Sequence, residues 1–477
     1  MQSITNKLIL LFKRWSGAEP ESIVTLPPSG SERRYWRLGN GSLSAIGAWS
    51  PVKEENSAFL YFTRHFHANG LHVPAIYGED PENNVYLIED LGNLSLFSLL
   101  ENKLPDSAFP FEIDRLYKES LKELIRFQVV AGKNLDYNFC YPSIAFDARS
   151  MKWDLNYFKY YFLKLHVPFN EGKLEDDFEK LISYLGQADS SFFMYRDFQS
   201  RNILIKNGRP YFIDYQGGRK GPLQYDVASL LFQVKADLPY EVREELLDYY
   251  ISELSAYIKI DQTVFKKQYY GFVLIRLLQV LGAYGFRGLL EKKPHFVSSI
   301  PFALRNLEWL LAQIDLQLEL PELLPRLKEL AKLEKYRAFD LPSEGKFAVV
   351  IKSFSYKHGI PDDFNRNGGG FVFDCRALPN PGREERYRAF NGKDAVIIDY
   401  LKNEPEVIRF LEGTEKLVSQ SVENYLERGY NSLVVNFGCT GGQHRSVYCS
   451  ETLAEKLRQK YPQVNVEVTH LVLRFKV

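Results

Sequence analysis

The run Tyr195-Arg196-Asp197-Phe198-Gln199-Ser200-Arg201-Asn202, followed by an apolar strand and then Ile213-Asp214-Tyr215-Gln216, carries the most specific chemistry in the chain. Phosphoryl transfer needs an acceptor hydroxyl aimed at the γ-phosphate of a nucleotide, and an aspartate on a loop accepts that hydroxyl's proton while staying ionised. Asp197 is the candidate catalytic base. Asn202, five residues on, returns an amide oxygen toward the same point, and Asp214 arrives at the end of a hairpin. Two such hard oxygen donors suit Mg²⁺ or Mn²⁺ on phosphates, so ATP and Mg²⁺ are the expected cofactors. The bare spacing also occurs beside ordinary hairpins. Here it is followed by Gly221-Pro222 and Tyr225-Asp226-Val227-Ala228-Ser229-Leu230, in which Asp226 is expected to hold the catalytic loop through its backbone rather than touch substrate.

Upstream, Ser29-Gly30-Ser31-Glu32-Arg33-Arg34-Tyr35 lies between two expected strands. A small-residue turn at Gly30 and Ser31 brings backbone N–H groups near phosphate oxygens, and Arg33 adds a cation there. Leu87-Ile88-Glu89-Asp90-Leu91-Gly92 ends a buried strand and opens into a helical region, so Glu89 and Leu91 are expected at a hinge facing adenine. A strand lysine for the α/β-phosphates is missing: Leu43–Ala48 contains none, and Lys53 sits beyond Pro51.

A second constellation lies near the C-terminus. Ser432–Phe437 reads as an apolar strand, Gly438-Cys439-Thr440-Gly441-Gly442-Gln443-His444-Arg445-Ser446 as a glycine-rich turn, and Val447–Gln459 as an amphipathic helix. Successive N–H groups of such a turn, added to the positive end of a helix, make an anion cradle, and Arg445 supplies a bidentate partner. Cys439 and Arg445 also have the C-x5-R spacing of cysteine phosphatases. The spacing alone leaves catalysis open.

These residues need scaffolds, and 477 residues exceed one ordinary core. From Leu26 to Leu91 the pattern is strand-like, with runs at Tyr35–Leu38, Leu43–Ala48 and Val85–Glu89 and a helix from Asn56 to Ala68; beyond Gly92 long helical patterns cover 112–130, 151–165, 241–257 and 263–285, interrupted by a strand-rich stretch at 193–216. That is the order of a two-lobed kinase. A charged helix is expected over Pro321–Tyr336. The turn residues Asp340–Gly345 then precede a β-rich run, Phe347–Phe354, which places the domains at 1–338 and 346–477. Sixty Lys plus Arg balance sixty Asp plus Glu, giving no global reason for a nucleic-acid or membrane partner. The four cysteines lack metal-type spacing, which fits a reducing cytoplasm, and Leu8–Phe12 is too short for a signal core and reads as an amphipathic helix.

On these residues the run from Ser29 to about Asn306 resembles the aminoglycoside-phosphotransferase-like kinases of cell-wall sugars, which act at the anomeric hydroxyl of N-acetylmuramate and N-acetylglucosamine. The points of similarity are Gly30–Arg37, Glu89–Gly92, Arg196–Asn202 and Arg276–Tyr284; members of this group also tend to lack the strand lysine. Tyr195 stands where that family usually has histidine, and Asp214-Tyr215-Gln216-Gly217-Gly218 where it tends to have D-F-Q-D-A. Residues from about Phe347 to His470, through Ser355–Pro361, Phe373–Pro381 and the glycine-rich turn, resemble the C-terminal domain of the RNase adapter protein RapZ. That resemblance implies a glucosamine-6-phosphate site in which Thr440, Gly441, His444 and Arg445, with Cys439, meet the phosphosugar and Asp374, Arg376 and Asn380 line it. Near-balanced charge over 346–477 argues against RNA as a partner.

The expected architecture is thus an α+β two-lobed protein-kinase-like domain of the aminoglycoside phosphotransferase type, followed by a small α/β domain with a phosphatase-like anion loop. Its expected activity is an amino-sugar kinase in cell-wall recycling with an amino-sugar-phosphate-sensing domain. The rivals are a kinase for another small hydroxyl compound and a nucleotide-binding regulatory adapter. Oligomeric state is left open.

Overall fold

The computed structural model describes residues 2–27, 32–101, 109–313, 318–333, 336, 347–361, 370–430 and 432–473. The chain separates into two compact units, Met1–Phe286 with Phe302–Leu333, and Arg287–Pro301 with Glu334–Val477.

The first unit opens with helix α1 (Gln2–Ser16) and strands β1 (Ser22–Thr25), β2 (Arg34–Asn40) and β3 (Leu43–Trp49), then α2 (Lys53–Ala68), β4 (Ile76–Asp80) and β5 (Val85–Glu89). The strands form an antiparallel sheet in the order β1-β2-β3-β5-β4. Asn40 pairs with Leu43, so Gly41-Ser42 is a two-residue hairpin loop, and Gly41 takes the left-handed conformation (φ 54°) that such loops require. Period-two alternation gives the sheet two faces. Trp36, Leu38, Ala45, Val85 and Leu87 pack on Leu8, Leu11 and Phe12 of α1, the expected amphipathic helix. The other face carries Tyr35 opposite Ala48 and Ala48 opposite Tyr86.

Beyond Gly92 the chain is mostly helical, through α3 (Leu96–Glu101), α4 (Phe111–Ile125), α5 (Ala148–Tyr161) and α6 (Glu171–Leu185), and later α7 (Leu223–Leu231), α8 (Tyr240–Leu254), α9 (Gln262–Tyr284), α10 (Pro294–Val297), α11 (Ile300–Gln313) and α12 (Leu323–Ala331). Between α6 and α7 lie two antiparallel strand pairs, β6 (Phe192–Met194) with β9 (Arg219–Gly221) and, between them in the chain, the hairpin of β7 (Ile203–Lys206) with β8 (Arg209–Phe212). The β6–β7 connection carries Asp197 and Asn202, and the β8–β9 connection carries Asp214. α9 is central. It crosses α5 closely, because a Cβ on Gly282 would lie 2.8 Å from the Phe158 backbone nitrogen. The stretch Gln262–Leu290 is long and apolar enough to cross a membrane, and 56% of its most apolar window is buried by the protein. The helix expected over Pro321–Tyr336 is shorter, starting at Leu323 and ending at Ala331, and most of 334–346 lies outside the described residues.

The second unit holds a parallel sheet in the order β11-β12-β10-β13, formed by β10 (Ala348–Ser355), β11 (Gly370–Asp374), β12 (Ser432–Cys439) and β13 (Asn465–His470). Helices α13 (Ala395–Lys402), α14 (Pro405–Glu427) and α15 (Arg445–Lys460) accompany it. β12 is buried almost throughout, as a near-continuous apolar run in a parallel sheet must be. Val349, Ile351, Val435, Phe437, Val418 and Leu453 are among its fully buried core residues. The first unit is an α+β two-lobed kinase-like fold and the second a small α/β domain.

Candidate functional site

The loop that carries Asp197 is fixed from below by Asp226 at the start of α7. Its carboxylate accepts the backbone N–H groups of Tyr195 and Arg196, each at 2.8 Å, and Nε2 of Gln128 at 2.9 Å; Tyr250 donates to Gln128 Oε1 at 2.6 Å. This is the loop-holding role expected of Asp226. Burial pushes its carboxyl up to about 7 against those three donors, with the Asp197 charge adding to the rise. The backbone turns out of this grip with Arg196 at φ 79°, a conformation that a non-glycine residue holds only under constraint, and so delivers Asp197 into the cleft. The Asp197 side chain is 42% exposed, and Nη2 of the buried Arg276 lies 3.3 Å from its Oδ1.

Asn202 and Asp214 come together beside it. Asn202 Nδ2 donates to the Asp197 carbonyl at 2.9 Å and to Asp214 Oδ2 at 3.2 Å, and Gln216 Nε2 donates to Asp214 Oδ1 at 2.7 Å. Asp214 is the second strained position, at φ 73°. Burial, then the neighbouring Asp197 charge, raises its carboxyl above the usual carboxylate range. Asp214 and the amide oxygen of Asn202 are hard donors that would hold a divalent cation such as Mg²⁺, which would supply positive charge beside a transferring phosphate.

Behind Asp197, Arg196 of the β6–β7 connection, Arg219 of β9 and Arg276 of α9 form a cationic floor, with Asp154 of α5 against it. Arg196 pairs with Asp154 at 3.1 Å and stacks over Phe146 and Tyr225; Arg219 donates to Ser143 Oγ at 2.8 Å and to the Gly217 carbonyl at 3.0 Å. Burial, then the Arg196 charge, lowers the Arg219 guanidinium to about 10. The sequence pattern missed Arg219 and gave Arg276 no role. Asp154 falls in a helical aromatic stripe that reads as core; its neighbour Trp153 is 55% exposed.

On the opposite wall, Arg33 is buried at the entry to β2, where its Nη2 lies 3.3 Å from Glu55 of α2. Gly30 and Ser31 lie outside the described residues. At the expected hinge, Glu89 Oε1 pairs with Lys206 of β7 at 2.5 Å and Oε2 accepts Ala75 N–H at 3.2 Å, while the backbone N–H of Glu89 bonds Ala75 O. Glu89 therefore clamps the two lobes. Leu91 is buried, and Arg37 grips Asp90 with two parallel bonds of 2.7 and 3.0 Å.

In the second unit the glycine-rich turn runs from the end of β12 into α15. Gly442 takes φ 66°, and a Cβ there would lie 2.9 Å from Ser355 N. Its N–H donates to Cys439 Sγ at 3.2 Å, and Ser446 Oγ lies 3.1 Å from the same buried sulfur. Thr440 and Gly441 are exposed at the rim. Arg445 differs from a guanidinium wholly available to an anion: its Nη1 is spent on the carbonyls of Arg376 and Leu378 at 2.8 and 2.9 Å, which draws that loop to the turn. Asp374 and Arg376 pair at 2.7 Å, and the Arg376 hydrogen bonds hold Asp374 below the usual carboxylate range. His444 Nε2 lies 3.1 Å from Tyr387 O, and a Cβ on Gly382, whose N–H is capped by Asn380, would lie 3.2 Å from the imidazole. All eight residues expected at the phosphosugar site are thus on β12, the turn, or the 374–382 segment docked to it.

Residues 24–259 match the phosphotransferase enzyme family, and residues 347–474 match the RapZ C-terminal domain. The chain joins a phosphotransferase-family domain to a RapZ C-terminal domain. A nucleotide-binding protein of Cereibacter sphaeroides is 42% identical over 128 residues, 27% of this chain and 41% of that protein; one of Laribacter hongkongensis is 44% identical over 115 residues, 24% and 40%. The chain thus spans about two fifths of the curated relatives it matches. Among solved structures, an amicoumacin kinase in complex with AMP-PNP, Ca²⁺ and Ami aligns at 14% identity and TM-score 0.43 over 60% of this chain and 85% of that one. A choline kinase from Cryptosporidium parvum aligns at 14% and 0.45, over 65% and 97%.

Proposed function

We propose that this chain is an ATP- and Mg²⁺-dependent kinase that phosphorylates an amino sugar of the N-acetylmuramate or N-acetylglucosamine type at its anomeric hydroxyl, in cell-wall recycling in the cytoplasm, and that its second domain senses an amino-sugar phosphate. The domains are 1–338 and 346–477. The observation that carries the kinase reading is the convergence of Asp197, Asn202 and Asp214 on one point, with Asp197 exposed and the loop beneath it held by Asp226.

Asp197 orients the acceptor hydroxyl and takes its proton, while Arg276 holds one carboxylate oxygen and leaves the other to the acceptor. Asn202 and Asp214 hold Mg²⁺, which neutralises charge on the transferring phosphate when bound. Arg33 supports the phosphates, and the hinge around Leu91 faces adenine. The cationic floor of Arg196, Arg219 and Arg276 favours an acceptor rich in oxygen atoms. In the second domain, Thr440, Gly441, His444 and Arg445 meet the phosphate of the sensed sugar, with Cys439 beneath the turn and Asp374, Arg376 and Asn380 around the sugar.

The test is ATP consumption by the purified protein with each sugar, with and without Mg²⁺, for wild type and Asp197→Asn, the position of the new phosphate being read by NMR. Turnover that needs both Asp197 and Mg²⁺ and yields a sugar 1-phosphate is the expected result. Mg-ATP binding without turnover on either sugar overturns the acceptor assignment.

A further inference from the structure

The missing strand lysine has a physical replacement. In a kinase-type site, a lysine on the third strand bridges the α/β-phosphates and a glutamate on the following helix. Here α2, the helix after β3, presents Glu55, Phe59 and Thr63 at steps of four, which places them along one face. Thr63 Oγ1 lies 2.6 Å from the Tyr215 hydroxyl, and the Phe59 ring stacks on Tyr215 (5.2 Å, 1° between planes) and on Tyr86 (5.0 Å, 20°). Tyr215 is the residue after Asp214, so this face of α2 is tied directly to the cation-holding loop.

The remaining member of the stripe, Glu55, faces a cation that comes from another strand. Ala48 of β3 is fully buried and sits opposite Tyr35 of β2, on the sheet face that also carries Tyr86. Arg33 is two residues before Tyr35. Its Nη2 is 3.3 Å from Glu55 Oε1, its Nη1 is 3.5 Å from the Tyr35 hydroxyl, and its guanidinium carbon is 5.9 Å from the Phe59 ring centre. The side chain is only 2% exposed. Arg33, at the entry to β2, thus lies on the sheet face to which Ala48 belongs, with its charge against the helix after β3.

We propose that the Arg33–Glu55 pair replaces the strand lysine and its helix partner, so that Arg33 contacts the nucleotide phosphates and α2 couples this contact to Asp214 through Phe59 and Thr63. The assignment rests on the nucleotide half of the kinase reading and is independent of the acceptor. It also states why β3 can carry alanine at position 48: the bulk and charge of a lysine there would collide with a buried arginine already in place.

Mg-ATP affinity, measured by calorimetry on the full chain, and steady-state kinetics with varied ATP test this. Arg33→Met weakens Mg-ATP binding by about 10- to 100-fold, the range expected for losing a charge-assisted contact to phosphate, and leaves the acceptor KM unchanged. Arg33→Met combined with Ala48→Lys recovers at least about tenfold of that loss, because the lysine enters the space vacated by the arginine. Glu55→Gln weakens Mg-ATP binding in the same direction, and the Arg33→Met/Glu55→Gln pair costs less than the product of the single effects. Unchanged Mg-ATP affinity in Arg33→Met overturns the proposal, as does full multiplicativity of the two losses. The double-variant comparison decides the matter even where the lysine variant does not fold. Normal Mg-ATP binding without sugar turnover in the wild type counts against the acceptor and leaves the Arg33 assignment to these titrations.

Discussion

At the scale of single residues, the site is built from charges that each depend on a neighbour. Asp226 illustrates the electrostatic cost. In the unfolded chain its carboxyl has the ordinary value of 3.8, whereas burial raises it to about 7 in the folded protein. A folded state that binds a proton more readily is favoured by this group fully below about pH 3.8, and that contribution is lost as pH rises toward 7. Asp226→Asn removes this pH dependence. The expected outcome is that the stability of wild type relative to the variant falls as pH rises from 5 to 8, read from urea unfolding midpoints. On the proposed function, Arg276 positions Asp197, whose Oδ1 it meets at 3.3 Å. Arg276→Gln is expected to lower kcat by about tenfold or more and leave Mg-ATP affinity unchanged, because it frees Asp197 to leave its productive orientation. Steady-state kinetics with ATP and acceptor varied separately check this split.

At the scale of elements, two loops work because the backbone is held where side chains cannot follow. The hinge is clamped by Glu89–Lys206 and by the Ile205 N–H to Leu94 carbonyl bond of 2.7 Å. Both partners of the ion pair are partly exposed, so Lys206→Met is expected to cost less than about 1 kcal/mol of stability, measured by chemical denaturation. The glycine-rich turn is less tolerant. At Gly442 a methyl group meets Val472 at 2.4 Å and Ser355 N at 2.9 Å, in a left-handed backbone that disfavours any side chain. On the proposed function, Gly442→Ala is expected to abolish glucosamine-6-phosphate binding in a calorimetric titration while kinase turnover persists, since the residue lies in the other unit.

At the scale of the whole molecule, two units with separate cores bring a phosphotransferase-family domain and a RapZ C-terminal domain into one chain. If the second domain senses the amino-sugar phosphate, binding there must favour one state of the first by a coupling free energy, typically about 1–3 kcal/mol or 5- to 150-fold in affinity. Glucosamine 6-phosphate is accordingly expected to shift the KM for ATP or for the sugar in wild type and to have no effect in a His444→Ala variant. An identical response from both proteins would place the effect elsewhere.

What could be read from the chain alone is short-range: the five-residue step from Asp197 to Asn202, the aspartate after the next hairpin, the glycine-rich turn between an apolar strand and a helix, the alternation of the first sheet and the continuous apolar run of β12 in the second. These were legible because each is set by local backbone geometry. Tertiary structure alone decided which distant groups complete the site. Arg276 reaches Asp197 across 79 positions and Lys206 reaches Glu89 across 117, distances over which no periodicity carries information. The same holds for Glu55: an acidic residue in the first turn of a helix has an ordinary capping role in sequence, and only the packing of α2 under the sheet turns it toward Arg33. Arg445, read as an anion contact from its spacing, is half committed to the carbonyls of a loop that folds back against it. A charged side chain's partner is fixed by which surfaces the core brings together, and that is a property of the packed chain.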